Sequence, residues 1–168
     1  VVVVMVMTTS GDGVIAIDTN GKIILINQAA QKMLGWQPQD LINKVVYKTI
    51  IIEDENGNVV PREKQPMYFA LAGTVTTSLN YQHLRQDKTK FPVAITVTPV
   101  TINGKIIGAV EVFHDITKEK DIDKAKTEFV SLASHQLRTP LSTVSWYTEM
   151  FLDGDVGKIT EKQKKYLK

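Results

Sequence analysis

Asp12-Gly13-Val14-Ile15-Ala16-Ile17-Asp18-Thr19-Asn20-Gly21-Lys22-Ile23-Ile24-Leu25-Ile26-Asn27-Gln28-Ala29-Ala30 decides how the N-terminal part of this chain folds. Two isoleucine-rich runs, Val14 to Asp18 and Lys22 to Asn27, flank Asn20-Gly21. Asn-Gly accepts positive φ at both positions and is the strongest short-range sign of a hairpin. Side chains branched at Cβ favour the pleated strand, so the stretch reads as two short antiparallel strands. From Gln28 to Leu34 the apolar spacing turns helical, and Gly35 closes the segment because glycine readily takes the left-handed conformation that ends a helix. Pro38 with Asp40 opens another short helical turn.

Working outward, Asn56-Gly57 and Asn103-Gly104 mark two further turns. Arg62 to Ala72 follows Pro61, groups Met67, Phe69, Ala70 and Leu71, and predicts one helix ending at Gly73. Three longer strands follow, Val75 to Arg85, Phe91 to Thr101 and Lys105 to Asp115, with Val93, Ile95 and Val97 alternating against Ala94, Thr96 and Thr98. The fold class is α+β: a five-stranded antiparallel sheet with short helices covering one face. Trp36, Tyr47, Tyr68 and Phe69 are expected to fill its core. Gly11-Asp12-Gly13 leads into β-branched residues rather than a helix, which makes it a strand-entry turn and not a phosphate cradle.

After Asp115 neither glycine nor proline occurs until Pro140, and Ile122, Ala125, Phe129 and Leu132 form a heptad seam on a mixed-charge helix. Past Leu132 the apolar set shifts to Ala133, Leu137, Leu141, Val144 and Phe151, so the seam is re-phased around His135. Pro140 removes the N–H that would bond the carbonyl of Gln136, and the helix is expected to bend or loosen one turn beyond the histidine. Asp153 to Gly157 break the helix, and Thr160 with Gln163 resembles a capping box for a second one. A seam this narrow cannot cover itself; a homodimeric four-helix bundle would bury it.

Composition narrows the function classes. At 168 residues, with 43% hydrophobic and 23% charged side chains, the chain has room for one globular domain and part of another. The formal charge is only +2, although five lysines from Lys158 onward face one glutamate. Those lysines are not interleaved with surface aromatics, so they read as a solvated helix face and not as a nucleic-acid site. Without cysteine there is no disulfide, thiolate metal site or cysteine nucleophile, which fits a reducing cytoplasm. No metal-ligand spacing is present. The apolar opening Val1 to Met7 is far short of the ~20 residues that span a bilayer. It reads as a buried strand or the end of a longer element, and any membrane span of the natural protein lies outside this chain.

The stretch quoted first, followed by Leu34-Gly35-Trp36 and by the exit Asp115-Ile116-Thr117, resembles a PAS sensor domain, here residues 1–116. Residues 117–168 resemble the signalling helix and dimerisation and histidine-phosphotransfer hairpin of a sensor histidine kinase, cut within its second helix. Phe129-Val130-Ser131 and Ser134-His135-Gln136-Leu137-Arg138-Thr139-Pro140-Leu141 carry that match. The resemblance implies that His135 takes the γ-phosphoryl group of ATP and passes it to an aspartate on a response-regulator receiver domain. An unperturbed imidazole, with a pKa near ~6.5, has the neutral form this needs. Gln136 stands where the family has an acidic general base; its amide can fix a tautomer but cannot take a proton. Thr139 matches the position that aligns water for dephosphorylating the regulator, and Arg138 reads as a solvated or phosphate-facing charge rather than a catalytic group. The family's ATP-binding motifs are absent from these residues, so the chain is expected to be inactive without its own ATP-binding domain. The PAS ligand stays open. Absence of cysteine excludes an adduct-forming flavin, and the strand positions of His83 and His114 argue against haem. The alternative is a non-enzymatic PAS and coiled-coil module that dimerises and relays a signal.

Overall fold

A computed structural model of the chain describes residues 11–155 and 157–167. The apolar opening Val1 to Met7 lies outside the described residues. Two compact units are present, the first ending at Glu119 and the second beginning at Lys120.

In the first unit, β1 (Gly13–Asp18), β2 (Ile23–Ile26), β3 (Ile52–Asp54), β4 (Thr76–Leu84), β5 (Lys90–Ile102) and β6 (Lys105–Asp115) form one antiparallel sheet in the order β2-β1-β6-β5-β4-β3. The sheet thus has six strands and not five. The extra strand, β3, is three residues long and pairs Ile52 with His83, too short to show alternation in the sequence. Between β2 and β3 come α1 (Gln28–Leu34), α2 (Pro38–Leu41) and α3 (Val46–Thr49).

Asn27 explains why the opening stretch behaves as a unit. Its side-chain oxygen accepts from the backbone N–H groups of Val14 and Ala30, and its amide donates to the carbonyl of Asp12, each at 2.9 Å. One residue therefore caps α1 and ties it to the start of β1. The turn between β1 and β2 is set by Asp18, whose Oδ1 accepts from the N–H groups of Asn20 and Lys22 at 2.9 and 2.8 Å. Asp54 repeats the pattern with Asn56 and Asn58. Of the three Asn-Gly pairs, only Asn103-Gly104 has both residues at positive φ, 49° and 76°. At the other two pairs the aspartate takes the first role and glycine alone is left-handed.

The single helix expected from Arg62 to Ala72 is divided. A 3-10 turn, Arg62–Lys64, ends at the extended Gln65, and α4 (Pro66–Leu71) begins anew. Proline at 66 disfavours helical backbone at the residue before it while suiting the first turn of a helix. The restart turns Met67 and Ala70 inward, leaving Tyr68 and Phe69 on the outer face at 38% and 40% exposure. Those two side chains do not fill the core. It is built by Ile15, Ile17, Phe91, Val93, Ile95 and Phe113 on the sheet, packed against residues such as Ala30, Leu34 and Leu41. Gly13 belongs to this packing: a Cβ there would overlap the ring of Phe113, its buried cross-strand partner.

The second unit consists of most of α5 (Thr117–Asp153) and of α6 (Glu161–Tyr166). Helix α5 is 37 residues long, continues through Pro140, and buries no side chain. Thr160 and Gln163 form the expected capping box at the start of α6, with reciprocal bonds of 2.8 and 3.3 Å.

Candidate functional site

His135 sits in the middle of α5 with Ser134, Gln136, Arg138, Thr139 and Pro140, all exposed. Among the described residues its imidazole has neither a hydrogen bond nor an ion pair, so both ring nitrogens are open to a reacting group. Helical spacing places Thr139 one turn away on the same face, while Gln136 and Pro140 share the neighbouring face. Gln136 makes no hydrogen bond to the ring. The carbonyl of Gln136 loses its usual partner because Pro140 has no N–H. Just beyond, the hydroxyl of Thr143 donates to the carbonyl of Thr139 at 3.0 Å, a contact that loosens a helix further. Around this segment Phe129, Leu132, Leu137, Leu141 and Val144 are 61–71% exposed, an apolar surface too large for a solitary helix.

The start of α5 is fastened by side chains of the sheet. Oδ1 of Asp115 accepts from the backbone N–H and the hydroxyl of Thr117, at 2.9 and 2.5 Å, while Oδ2 lies 3.3 Å from the guanidinium of Arg85. Arg85 also donates from Nε to the carbonyl of Met33 at 2.8 Å and lies over the ring of Phe91. One carboxylate therefore caps the outgoing helix and, through Arg85, joins it to the end of α1. Arg85 was not singled out by sequence; a cation closing an alternating strand was the available signal.

The two strand histidines, His83 and His114, differ in their surroundings. His83 is 1% exposed, stacked on Phe113 and Phe91 with centroids 4.9 and 6.0 Å apart, and faces Glu111, itself 2% exposed. His83 Nε2 and Glu111 Oε1 are 3.1 Å apart but poorly aligned, so neither atom has a hydrogen bond. Glu111 follows Ala109 and precedes Phe113 on the inward face of β6, and an acid in that alternation was the clue in the sequence. The Tyr47 hydroxyl, also buried without a partner, is pushed above its usual pKa by burial, against the opposing influence of Arg62. Among the described residues no cluster of histidine and carboxylate side chains could hold a metal ion.

A family model described as PAS fold matches residues 3–116, and one described as His Kinase A (phospho-acceptor) domain matches residues 125–168. The chain is 30% identical over 149 residues to the sensor protein kinase WalK of Staphylococcus aureus, covering 89% of this chain and 33% of that protein. The same protein from S. aureus strain JH9 is also 30% identical, with 22% of its length covered. The chain thus spans a third or less of these curated relatives. Among solved structures, an RNA-binding light-oxygen-voltage receptor superposes with a TM-score of 0.57 at 18% identity, covering 76% of this chain and 35% of that one. The PAS domain of a protein from Colwellia psychrerythraea gives 0.51 at 21% identity, covering 65% and 89%.

Proposed function

This chain belongs to the PAS family and is the sensory and phospho-acceptor region of a two-component sensor histidine kinase, and from that premise we propose that His135 is the phosphoryl carrier. The observation that carries the reading is the exposed imidazole of His135, free of internal partners, on a helix that continues through Pro140. A ring nitrogen attacks the γ-phosphorus of ATP, the bond to the β-phosphate oxygen breaks, and ADP leaves. The phosphohistidine then gives its phosphoryl group to an aspartate of a response regulator. Thr139, on the same face, is positioned to hold the water that reverses the regulator's phosphorylation, since a hydroxyl orients water without titrating. Gln136 supplies no base, so the proton leaving the imidazole goes to solvent or to a group of the ATP-binding domain.

In this reading residues 1–116 form the sensor, and residues 117–168 form the signalling helix and the phosphotransfer hairpin. The exposed apolar faces of α5 support a homodimer. ATP chemistry places the region in the cytoplasm, and no helix among the described residues is long and apolar enough to cross a membrane. The sensor's ligand is left unassigned.

Mixing the chain with the family's separately expressed ATP-binding domain and γ-labelled ATP tests the proposal. Acid-labile label should appear on the chain, need the added domain, and vanish in His135→Ala. Label that persists in His135→Ala would overturn the assignment. Dimers that never take label would favour the non-enzymatic relay module, which the apolar face of α5 also suits.

A further inference from the structure

His114, near the end of β6, holds the entry of β1 and the first turn of α5 together in a way that phosphotransfer does not use. Its Nδ1 lies 2.9 Å from Oδ1 of Asp12, just before β1, and its Nε2 lies 3.6 Å from Oε1 of Glu119 on α5. An imidazole can donate from both nitrogens only when it is protonated; the neutral ring must turn a lone pair toward one of the two carboxylates. The three side chains are partly exposed, at 51%, 32% and 57%, so protons exchange with solvent freely.

We propose that His114 is a proton-operated latch: charged, it fastens the first turn of α5 to the entry of β1, and neutral, it releases that turn. Its regulatory meaning rests on the reading of α5 as the output helix toward His135. The surroundings favour the charged form. The hydrogen bond to Asp12 holds the His114 pKa above its ordinary 6.5; partial burial opposes this, and the charge of Asp12 and the contact with Glu119 reinforce it. Because the folded pKa is raised, the latch is favoured while His114 is protonated and both carboxylates are ionised, and it weakens as pH rises through the higher folded value.

Other neighbours do not compete for the ring. Ala94, its partner on β5, is uncharged, and the carboxylate of Asp115 is committed to Thr117 and Arg85. Lys118 and Lys120 flank Glu119 without pairing to these carboxylates among the described residues, and residues 1–10 contain no titratable side chain. Partly exposed pairs of this kind change an equilibrium by roughly fivefold at most, which suits a bias on a helix terminus better than an all-or-none switch.

A pH titration of the 168-residue chain by nuclear magnetic resonance tests the latch. The His114 ring should titrate above 6.5 in the wild type, lower in Asp12→Asn, and lower by a smaller step in Glu119→Gln. The α-carbon shifts of Thr117 to Glu119 should lose helical character with the same midpoint, and in His114→Gln they should no longer follow pH. A ring midpoint unchanged in Asp12→Asn, or first-turn shifts flat across the His114 titration, would overturn the proposal. If His114→Gln does not fold, the two carboxylate variants decide alone. No step uses ATP: failure of His135 to take label removes the phospho-acceptor reading and leaves this titration standing, and the converse also holds.

Discussion

Three hairpin turns of the sensor unit are built alike, and one of them has a residue that resists its own conformation. In the turns at Asp18, Asp54 and Arg85, the N–H of the first residue bonds the carbonyl four positions on, and the N–H three positions on bonds the carbonyl of the first. The fourth position is left-handed in each: Gly21 at φ 77°, Gly57 at 79° and Lys88 at 71°. Left-handed backbone costs an L side chain about 1–2 kcal/mol, while glycine loses about 0.5–1 kcal/mol more chain entropy on folding. The first figure wins, so Lys88→Gly should stabilise the sensor unit by about 0.5–1 kcal/mol and raise its melting temperature by a few degrees. Lys88→Ala, which removes the same charge but keeps the Cβ, should give no such gain. Thermal denaturation followed by circular dichroism checks both, and a lower melting temperature for Lys88→Gly would show that the lysine is not strained.

At the scale of elements, α5 is long, continuous and locally weak at one place. An interior proline costs a helix about 3 kcal/mol through its missing N–H and its clash with the preceding turn. That cost falls one turn beyond His135, where Thr143 also bonds the carbonyl of Thr139. Pro140→Ala should therefore raise the amide-exchange protection of the turn around Gln136 and, in the intact kinase, shift the ratio of kinase to phosphatase activity. Equal protection and an unchanged ratio would remove the weak point from the mechanism. Elements of this chain were legible where a local rule was sufficient. The Gly35 stop, the three long strands and the Thr160 capping box follow from side chains within a few residues of one another. The six-strand count, the outward turn of Tyr68 and Phe69 and the His83–Glu111 pair were hidden. Strand β3 joins the sheet through its pairing with β4, and Glu111 meets His83 only because β4 and β6 flank β5. Such contacts between distant residues leave no periodic trace. Among the candidate site residues, the histidine and its neighbours could be placed on one helix from sequence, whereas the fastening of that helix through Asp115 and Arg85 could not.

The whole molecule joins a unit that buries its own apolar core with a helix that does not. The sensor unit buries Ile15, Ile17, Leu34, Phe91, Phe113 and other apolar residues of its core, each contributing about 1.5–3 kcal/mol relative to an exposed side chain. Helix α5 buries none, and Phe129, Leu132, Leu137, Leu141 and Val144 stay 61–71% exposed. Helices in proteins draw most of their stability from packing an apolar face, so the second unit needs a partner that the first does not. A second copy of this chain offers the matching seam, and its effect must follow mass action: each tenfold rise in concentration adds about 1.4 kcal/mol to a dimer. Thermal unfolding should accordingly show two transitions. Loss of tertiary signal from the sensor unit should be independent of concentration, and loss of helical signal should move to higher temperature as concentration rises. Leu132→Asp and Leu141→Asp should each lower the temperature of the helical transition, make the chain monomeric in sedimentation equilibrium, and leave the sensor transition in place. Helical transitions that superpose over a hundredfold concentration range would mean that α5 is stable alone, and the apolar seam would need another explanation.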